Sequence, residues 1–90
     1  MTNIIQRQAD EQELKYSRQW QRWESGETTR FEYHYEQDVE FIVQSGEAII
    51  RTQFNDQLHI LPGSHITIGK GVEGKWEILS PICNRYRYLG

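Results

Sequence analysis

The sequence predicts an all-β protein, built as one small barrel or sandwich. From Thr28 onward, apolar and polar residues alternate with a period of two, and about seven short segments of this kind follow one another at regular spacing. Helical periodicity is almost absent, and a chain of 90 residues has the length of a single domain. Short, evenly spaced strands almost without helix are typical of β-sandwiches and barrels.

The first 19 residues are predicted to be a separate segment that packs on a domain spanning residues 20–90. Good helix formers surround Asp10, which is placed to cap a short helix. The rest of the segment has too few apolar residues for more than a helical turn or two and an extended stretch. Trp20 and Trp23 end this region, and such large rings are expected to cover part of the core.

The strands themselves are predicted from the alternation and from the turn residues between them. Ser45-Gly46, Asn55-Asp56 and Pro62-Gly63 are the turn signals. In chain order, the predicted strands are 28–35, 39–43, 48–52, 58–61, 66–68, 75–79 and 82–88.

Several of these strands carry apolar side chains on both faces, as Phe41 and Ile42 do. Two explanations stand side by side: the N-terminal segment covers the second face, or a second copy of the chain does. Open β-sandwiches must also protect their exposed strand edges. The protein is therefore expected to be a homodimer.

Composition and charge exclude several classes of function. A net charge of -3 gives no electrostatic footprint for nucleic acid. No apolar run is long enough to span a membrane, and Met1–Gln6 does not resemble a secretion signal. Cys83 is the one cysteine, so it forms no internal disulfide, and it is expected to be a small buried hydrophobe. A cytoplasmic protein that binds neither nucleic acid nor membrane is predicted.

The glycine spacing resembles the cupin family. The first cupin motif, G-x5-H-x-H-x4-E-x6-G, lies on Gly26 to Gly46, and the second, G-x5-P-x-G-x2-H-x3-N, on Gly63 to Ile78. Residues 71–81, followed by Tyr86, are similar to the small subfamily that includes ureidoglycine-aminohydrolase-like domains. The resemblance implies a cupin-like double-stranded β-helix, also called a jelly roll.

The same resemblance implies that a full metal site is missing. Metal-binding cupins use three His and one Glu from the two motifs, and those positions here hold Glu32, His34, Val39 and Gly74. A catalytic zinc ion needs three protein ligands, and a non-haem iron site needs two His and one carboxylate. No cofactor or metal is therefore predicted. If a metal does bind, Glu32 and His34 are the expected ligands.

The cupin register predicts a ligand pocket inside the barrel. It is expected to be lined by Glu32, His34, Phe41, Trp76 and Tyr86. The predicted function is binding of a small organic molecule in this cavity. The alternative is a small metabolic enzyme, metal-assisted or using Glu32 and His34 for acid–base chemistry, that acts on a nitrogen-containing or sugar-like substrate. The sequence leaves open whether any catalysis occurs, and it identifies no catalytic residue.

Periodicity alone allows the opposite orientation of the strand at residues 28–35. In that interpretation Phe31, Tyr33 and Tyr35 form the inner face, and Glu32 and His34 lie in solvent. His59 and His65 are both expected to be exposed.

Overall fold

The computed structural model describes residues 4–89. Residues 1–3, which begin the predicted N-terminal segment, and residue 90, which ends the predicted domain, lie outside the described residues. Seven strands, one short α-helix and one 3-10 turn make up this part of the chain. In chain order they are β1 (Ile4–Gln8), α1 (Glu11–Tyr16), the 3-10 turn (Ser17–Gln19), β2 (Gln21–Glu24), β3 (Arg30–His34), β4 (Val39–Thr52), β5 (Gln57–Ile60), β6 (Ser64–Ile68) and β7 (Glu73–Tyr88).

All strand pairs are antiparallel, and the two long strands β4 and β7 run side by side through the whole molecule. The first half of β4 pairs with the second half of β7, in a layer ordered β1-β6-β4-β7-β2. Their other halves form a second layer, in which β5 pairs with β4 and β3 with β7. This arrangement is the cupin-like β-barrel that the sequence predicts.

The turn predicted at Ser45-Gly46 is wrong, because β4 continues through it. The pairing with β7 shifts register between Val43 and Ala48, so the strand bulges there and does not reverse. Gly46 has a φ of 91°, and a Cβ atom at this position would lie 2.1 Å from the carbonyl oxygen of Pro81. Only glycine allows β7 to approach so closely. The strands predicted at 75–79 and 82–88 are likewise one strand, β7.

The N-terminal segment contributes a strand as well as the predicted helix. Asp10 caps α1: its carboxylate accepts from the backbone N–H of Glu13, and the Glu13 side chain accepts in return from the N–H of Asp10. This confirms the predicted cap. β1 pairs along its whole length with β6, and β2 pairs with β7. Neither of these strands was expected from the sequence.

The segment also covers part of the outer face of the first layer. Ile42 is fully buried there, between His65 on β6 and Arg85 on β7. The Arg85 guanidinium donates to the carbonyl of Trp20 (3.3 Å), and the imidazole of His65 lies 3.8 Å from Glu13. Ile42 is 0% exposed in the single chain, beneath neighbours that contact Glu13 of the segment and Trp20 just after it, so it is covered by this same chain. Burial of Ile42 therefore does not require a second copy.

The interior of the barrel contains two kinds of side chain. One part is a set of aliphatic residues, each at most 2% exposed, which we call the aliphatic cluster. Its members are Val43, Ala48, Ile50, Ile60, Ile66, Ile68, Val72 and Ile82. The other part is aromatic and lines a cavity that is partly open to solvent.

Neither helical element within residues 4–89 has the length and apolar character needed to cross a membrane.

Candidate functional site

The aromatic part of the barrel surrounds a cavity of about 190 Å³, which we call the aromatic cavity. Trp76 lies at its centre. The indole ring of Trp76 stacks on Phe31, with ring centroids 5.2 Å apart, and packs against Trp23 and Phe41 at 5.8 and 5.7 Å. Offset and tilted rings at these separations attract one another while leaving gaps between their planes. The cavity is lined by Trp23, Phe31, Tyr33, Tyr35, Val39, Phe41, Trp76, Asn84, Tyr86 and Tyr88.

The pairing of β3 with β7 decides which face of β3 lines this cavity. Phe31 pairs directly with Trp76, and Tyr33 with Gly74. Directly paired residues on neighbouring antiparallel strands point to the same side of a sheet. Since Trp76 points inward, Phe31 and Tyr33 must do so as well.

The inward orientation predicted for Glu32 and His34 is therefore wrong by one residue. Glu32 pairs with Lys75 on the outer face, where 76% of its side chain is exposed and its carboxylate lies 3.9 Å from the Lys75 ammonium. His34 is 57% exposed, with its imidazole 3.6 Å from the carboxylate of Glu73. A shift of one residue moves a whole strand face from core to solvent. The alternative orientation of this strand is the one in the structure.

The other three predicted pocket residues, Phe41, Trp76 and Tyr86, do line the aromatic cavity. Sequence reasoning missed Asn84 as a cavity residue. Its position two residues before Tyr86, on a strand with a period of two, was the available signal.

Three polar side chains of the cavity wall take part in hydrogen bonds to other side chains. The Trp76 indole N–H donates to the Tyr35 hydroxyl at 3.1 Å, and the Tyr86 hydroxyl donates to the side-chain carbonyl of Gln21 at 3.0 Å. Burial raises the pKa of Tyr35 to about 12, although the hydrogen bond from Trp76 opposes the shift. Tyr35 is therefore neutral at every physiological pH.

The residues of the cavity wall do not fit a cupin metal site. Its lining includes no His, Cys, Asp or Glu. Within residues 4–89, moreover, no three such side chains lie close enough to share an ion. Aromatic rings and one amide are poor ligands for zinc or iron. Glu32 and His34 lie outside the barrel and cannot ligate a metal within it.

Two further predictions about single residues are corrected and one is confirmed. His65 is 4% exposed, because β1 and the helical segment surround it on the outer face. Cys83 is only half-buried, and its thiol donates to Gln44 at 3.3 Å. His59 is exposed, as expected, beside Glu47.

Solved structures with a similar fold include two DUF861 family proteins and a putative ethanolamine utilization protein. A DUF861 family protein from Thermotoga maritima superposes with a TM-score of 0.87 at 22% identity, covering 96% of this chain and 99% of that one. A putative ethanolamine utilization protein Q from Salmonella typhimurium has a TM-score of 0.62 at 18% identity, and a DUF861 protein from Pseudomonas syringae has 0.62 at 14%.

The match to the Salmonella protein covers 74% of this chain and 51% of that protein. The match to the Pseudomonas protein covers 76% of this chain and 29% of that protein. The sequence matches no family model and no curated protein sequence. At these identities the likeness shows the fold alone.

Proposed function

We propose that this protein binds a small organic molecule in the aromatic cavity. The observation that carries the proposal is the composition of the wall: eight of its ten lining residues are aromatic, and they surround about 190 Å³ of space. Ligand sites in proteins are typically concave and apolar, with a few polar groups that fix orientation.

The size of the cavity suits a ligand of about one ring. Drug-sized ligands occupy pockets of roughly 300–1,000 Å³, whereas an engineered apolar cavity of about 150 Å³ holds benzene. The aromatic cavity lies just above the second value. A single six-membered ring with one or two substituents fits this space.

The chemistry of the wall supports binding more than catalysis. The only titratable side chains on it are tyrosines, and Tyr35, the most buried of them, has a pKa of about 12. General acid–base catalysis works best with a group whose pKa lies near the working pH. The cavity therefore offers no residue that supports the enzyme alternative. The same holds for an activity inferred from the likeness to ureidoglycine-aminohydrolase-like domains.

Tryptophan fluorescence tests the proposal directly. Trp23 and Trp76 lie in the cavity wall, whereas Trp20 stacks on Arg87 outside it, 4.5 Å from the guanidinium carbon. In a Trp20→Phe background, titration with toluene or phenol should give a saturable change in emission.

A matched pair of variants locates the binding. Val39→Phe places a ring in the cavity and should abolish the change, while Leu79→Phe, at a position 49% exposed on β7, should leave it intact. The absence of saturable binding in the parent protein, or equal binding in both variants, would overturn the proposal. Circular dichroism checks that each variant is folded.

We also propose, from the sequence, that the protein is a cytoplasmic homodimer. The proposal is supported by the apolar side chains on both faces of several strands and by the need to protect exposed strand edges. Sedimentation velocity at high micromolar concentration is the test, and a monomer under those conditions would contradict it.

A further inference from the structure

Asn84 is the feature of the aromatic cavity that packing alone does not explain. It lies on β7, between Val43 of β4 and Trp23 of β2, so its backbone belongs to the interior of the first layer. Its side chain is on the inner face with those of Ile82 and Tyr86, and only 4% of the residue is exposed. Asparagine is disfavoured in strands, particularly central ones.

The side-chain amide of Asn84 has no hydrogen-bond partner within residues 4–89. It carries two N–H donors and a carbonyl acceptor, all available to the cavity that it lines. The other two polar wall residues that are as deeply buried, Tyr35 and Trp76, hydrogen-bond each other. Within residues 4–89, the fully enclosed side-chain atoms without a partner are His65 Nδ1 and Arg85 Nε, so the Asn84 amide is accessible from the cavity, where water or a ligand can pair with it.

The surroundings of Asn84 define what that partner can be. No charged side chain lines the cavity, and an ion enclosed by aromatic rings would lose its hydration without compensation. A neutral ligand is therefore favoured. A primary amide presents a donor and an acceptor side by side, and the group that complements both is another N–H beside a C=O.

We propose that Asn84 recognises a neutral, planar, single-ring ligand through an adjacent N–H and C=O, as in a lactam. This inference rests on the proposed function, because it requires that an organic molecule enters the cavity. The ring stacks among Trp76 and its aromatic neighbours, and the lactam edge forms paired hydrogen bonds with the Asn84 amide. The aromatic walls supply affinity, and Asn84 supplies orientation and selectivity.

The test compares three probes on the parent protein and on Asn84→Leu, which keeps the size of the side chain and removes its polar atoms. The probes are 2-pyridone, which carries the complete N–H and C=O edge, N-methyl-2-pyridone, in which the N–H is blocked, and toluene, which has neither group. In the parent, 2-pyridone should bind most tightly of the three.

In Asn84→Leu, the affinity for 2-pyridone should fall by about tenfold or more, as expected for the loss of paired hydrogen bonds, while that for toluene should stay equal or rise. If toluene binds the parent but 2-pyridone binds equally to both proteins, or to neither, the role of Asn84 is refuted and the proposed function survives. If no probe binds the parent, both proposals fail.

A second measurement does not depend on the folding of the variant. In the parent protein, the side-chain NH₂ protons of Asn84 should move downfield in the NMR spectrum on addition of 2-pyridone. Toluene, which accepts no such hydrogen bond, should produce no downfield shift. Equal shifts with both probes would contradict the proposal.

Discussion

The aliphatic cluster and the aromatic cavity occupy the same barrel but fill their space differently. Isoleucine and valine side chains are branched close to the backbone and interlock between strands, and each member of the aliphatic cluster is at most 2% exposed. The aromatic rings meet as tilted plates, and about 190 Å³ remains between them. The comparison assigns stability and the proposed ligand binding to two sets of residues on the same strands.

Replacement of Ile50 by Ala should have the largest effect on stability. Ile50 is fully buried in the aliphatic cluster, and such truncations cost about 2 to 5 kcal/mol in free energy of unfolding. Ile49→Ala is the matched control, since Ile49 is the same residue type on the opposite face of β4 and is only half-buried. Urea denaturation should show a clearly smaller loss for the control. Equal losses would mean that the aliphatic cluster is not the main source of stability.

Tyr35, in the wall of the aromatic cavity, should make stability fall at high pH. Its pKa is about 12 in the folded protein and ordinarily 10, so the unfolded chain releases the proton first. The raised pKa of Tyr35 therefore contributes about 2 to 3 kcal/mol to the free energy of unfolding. This contribution is complete below pH 10 and is lost between pH 10 and 12. Tyr35→Phe should lack this loss, although it costs about 1 kcal/mol at neutral pH because the Trp76 N–H loses its acceptor. The measurement is urea denaturation of both proteins between pH 8 and 12. If their free energies of unfolding fell in parallel with pH, the loss could not be assigned to Tyr35.

Phe31→Ala should cost less than Ile50→Ala although it removes a larger side chain. Phe31 is only half-buried and already borders empty space, so the expected loss is about 1 to 2 kcal/mol, below the usual range for a buried phenylalanine. The variant should also admit larger ring compounds. Thermal unfolding with and without such a compound measures both effects. A loss as large as that of Ile50→Ala would show that the two regions do not differ.

Glu13→Gln, outside both regions, should have the smallest effect. Hydrogen bonds from the Arg7 guanidinium to both carboxylate oxygens, the one to Oε1 being 2.6 Å long, lower the pKa of Glu13 to about 2. The stabilisation is therefore present above the ordinary pKa of 4.5 and is lost as the pH falls toward 2. Because the pair is partly exposed, the expected loss is under about 1 kcal/mol. In Glu13→Gln, the free energy of unfolding should lack this loss as the pH is lowered. The same acid dependence in the parent and the variant would contradict the prediction.

The fold could be predicted from the sequence wherever burial determines the pattern. From residue 28 onward, one face of most strands is buried, and the alternation shows it. β1 and β2 escaped detection because they are held by backbone pairing with β6 and β7, while most of their side chains are exposed. A strand without a buried face has no periodic signal to detect.

The candidate site was less predictable because its orientation depends on pairing between strands. Glycine spacing fixes positions along the chain, but it does not fix which residue of β3 lies opposite Trp76. That pairing, with Phe31, turned Glu32 and His34 outward. Phe41 and Trp76 were expected to face inward from the cupin register, whereas the sequence did not fix the orientation of Tyr86; all three line the cavity.

The passage of β4 and β7 through both layers has a consequence for how the protein opens. One hydrogen-bonded ladder, interrupted only at the bulge around Gly46, holds the aliphatic cluster and the aromatic cavity together. Neither region can then unfold as an independent unit, and the backbone amides of both should exchange with solvent in the same global event. A ligand of the proposed kind could reach the cavity, which is partly open to solvent, while the shared ladder stays closed.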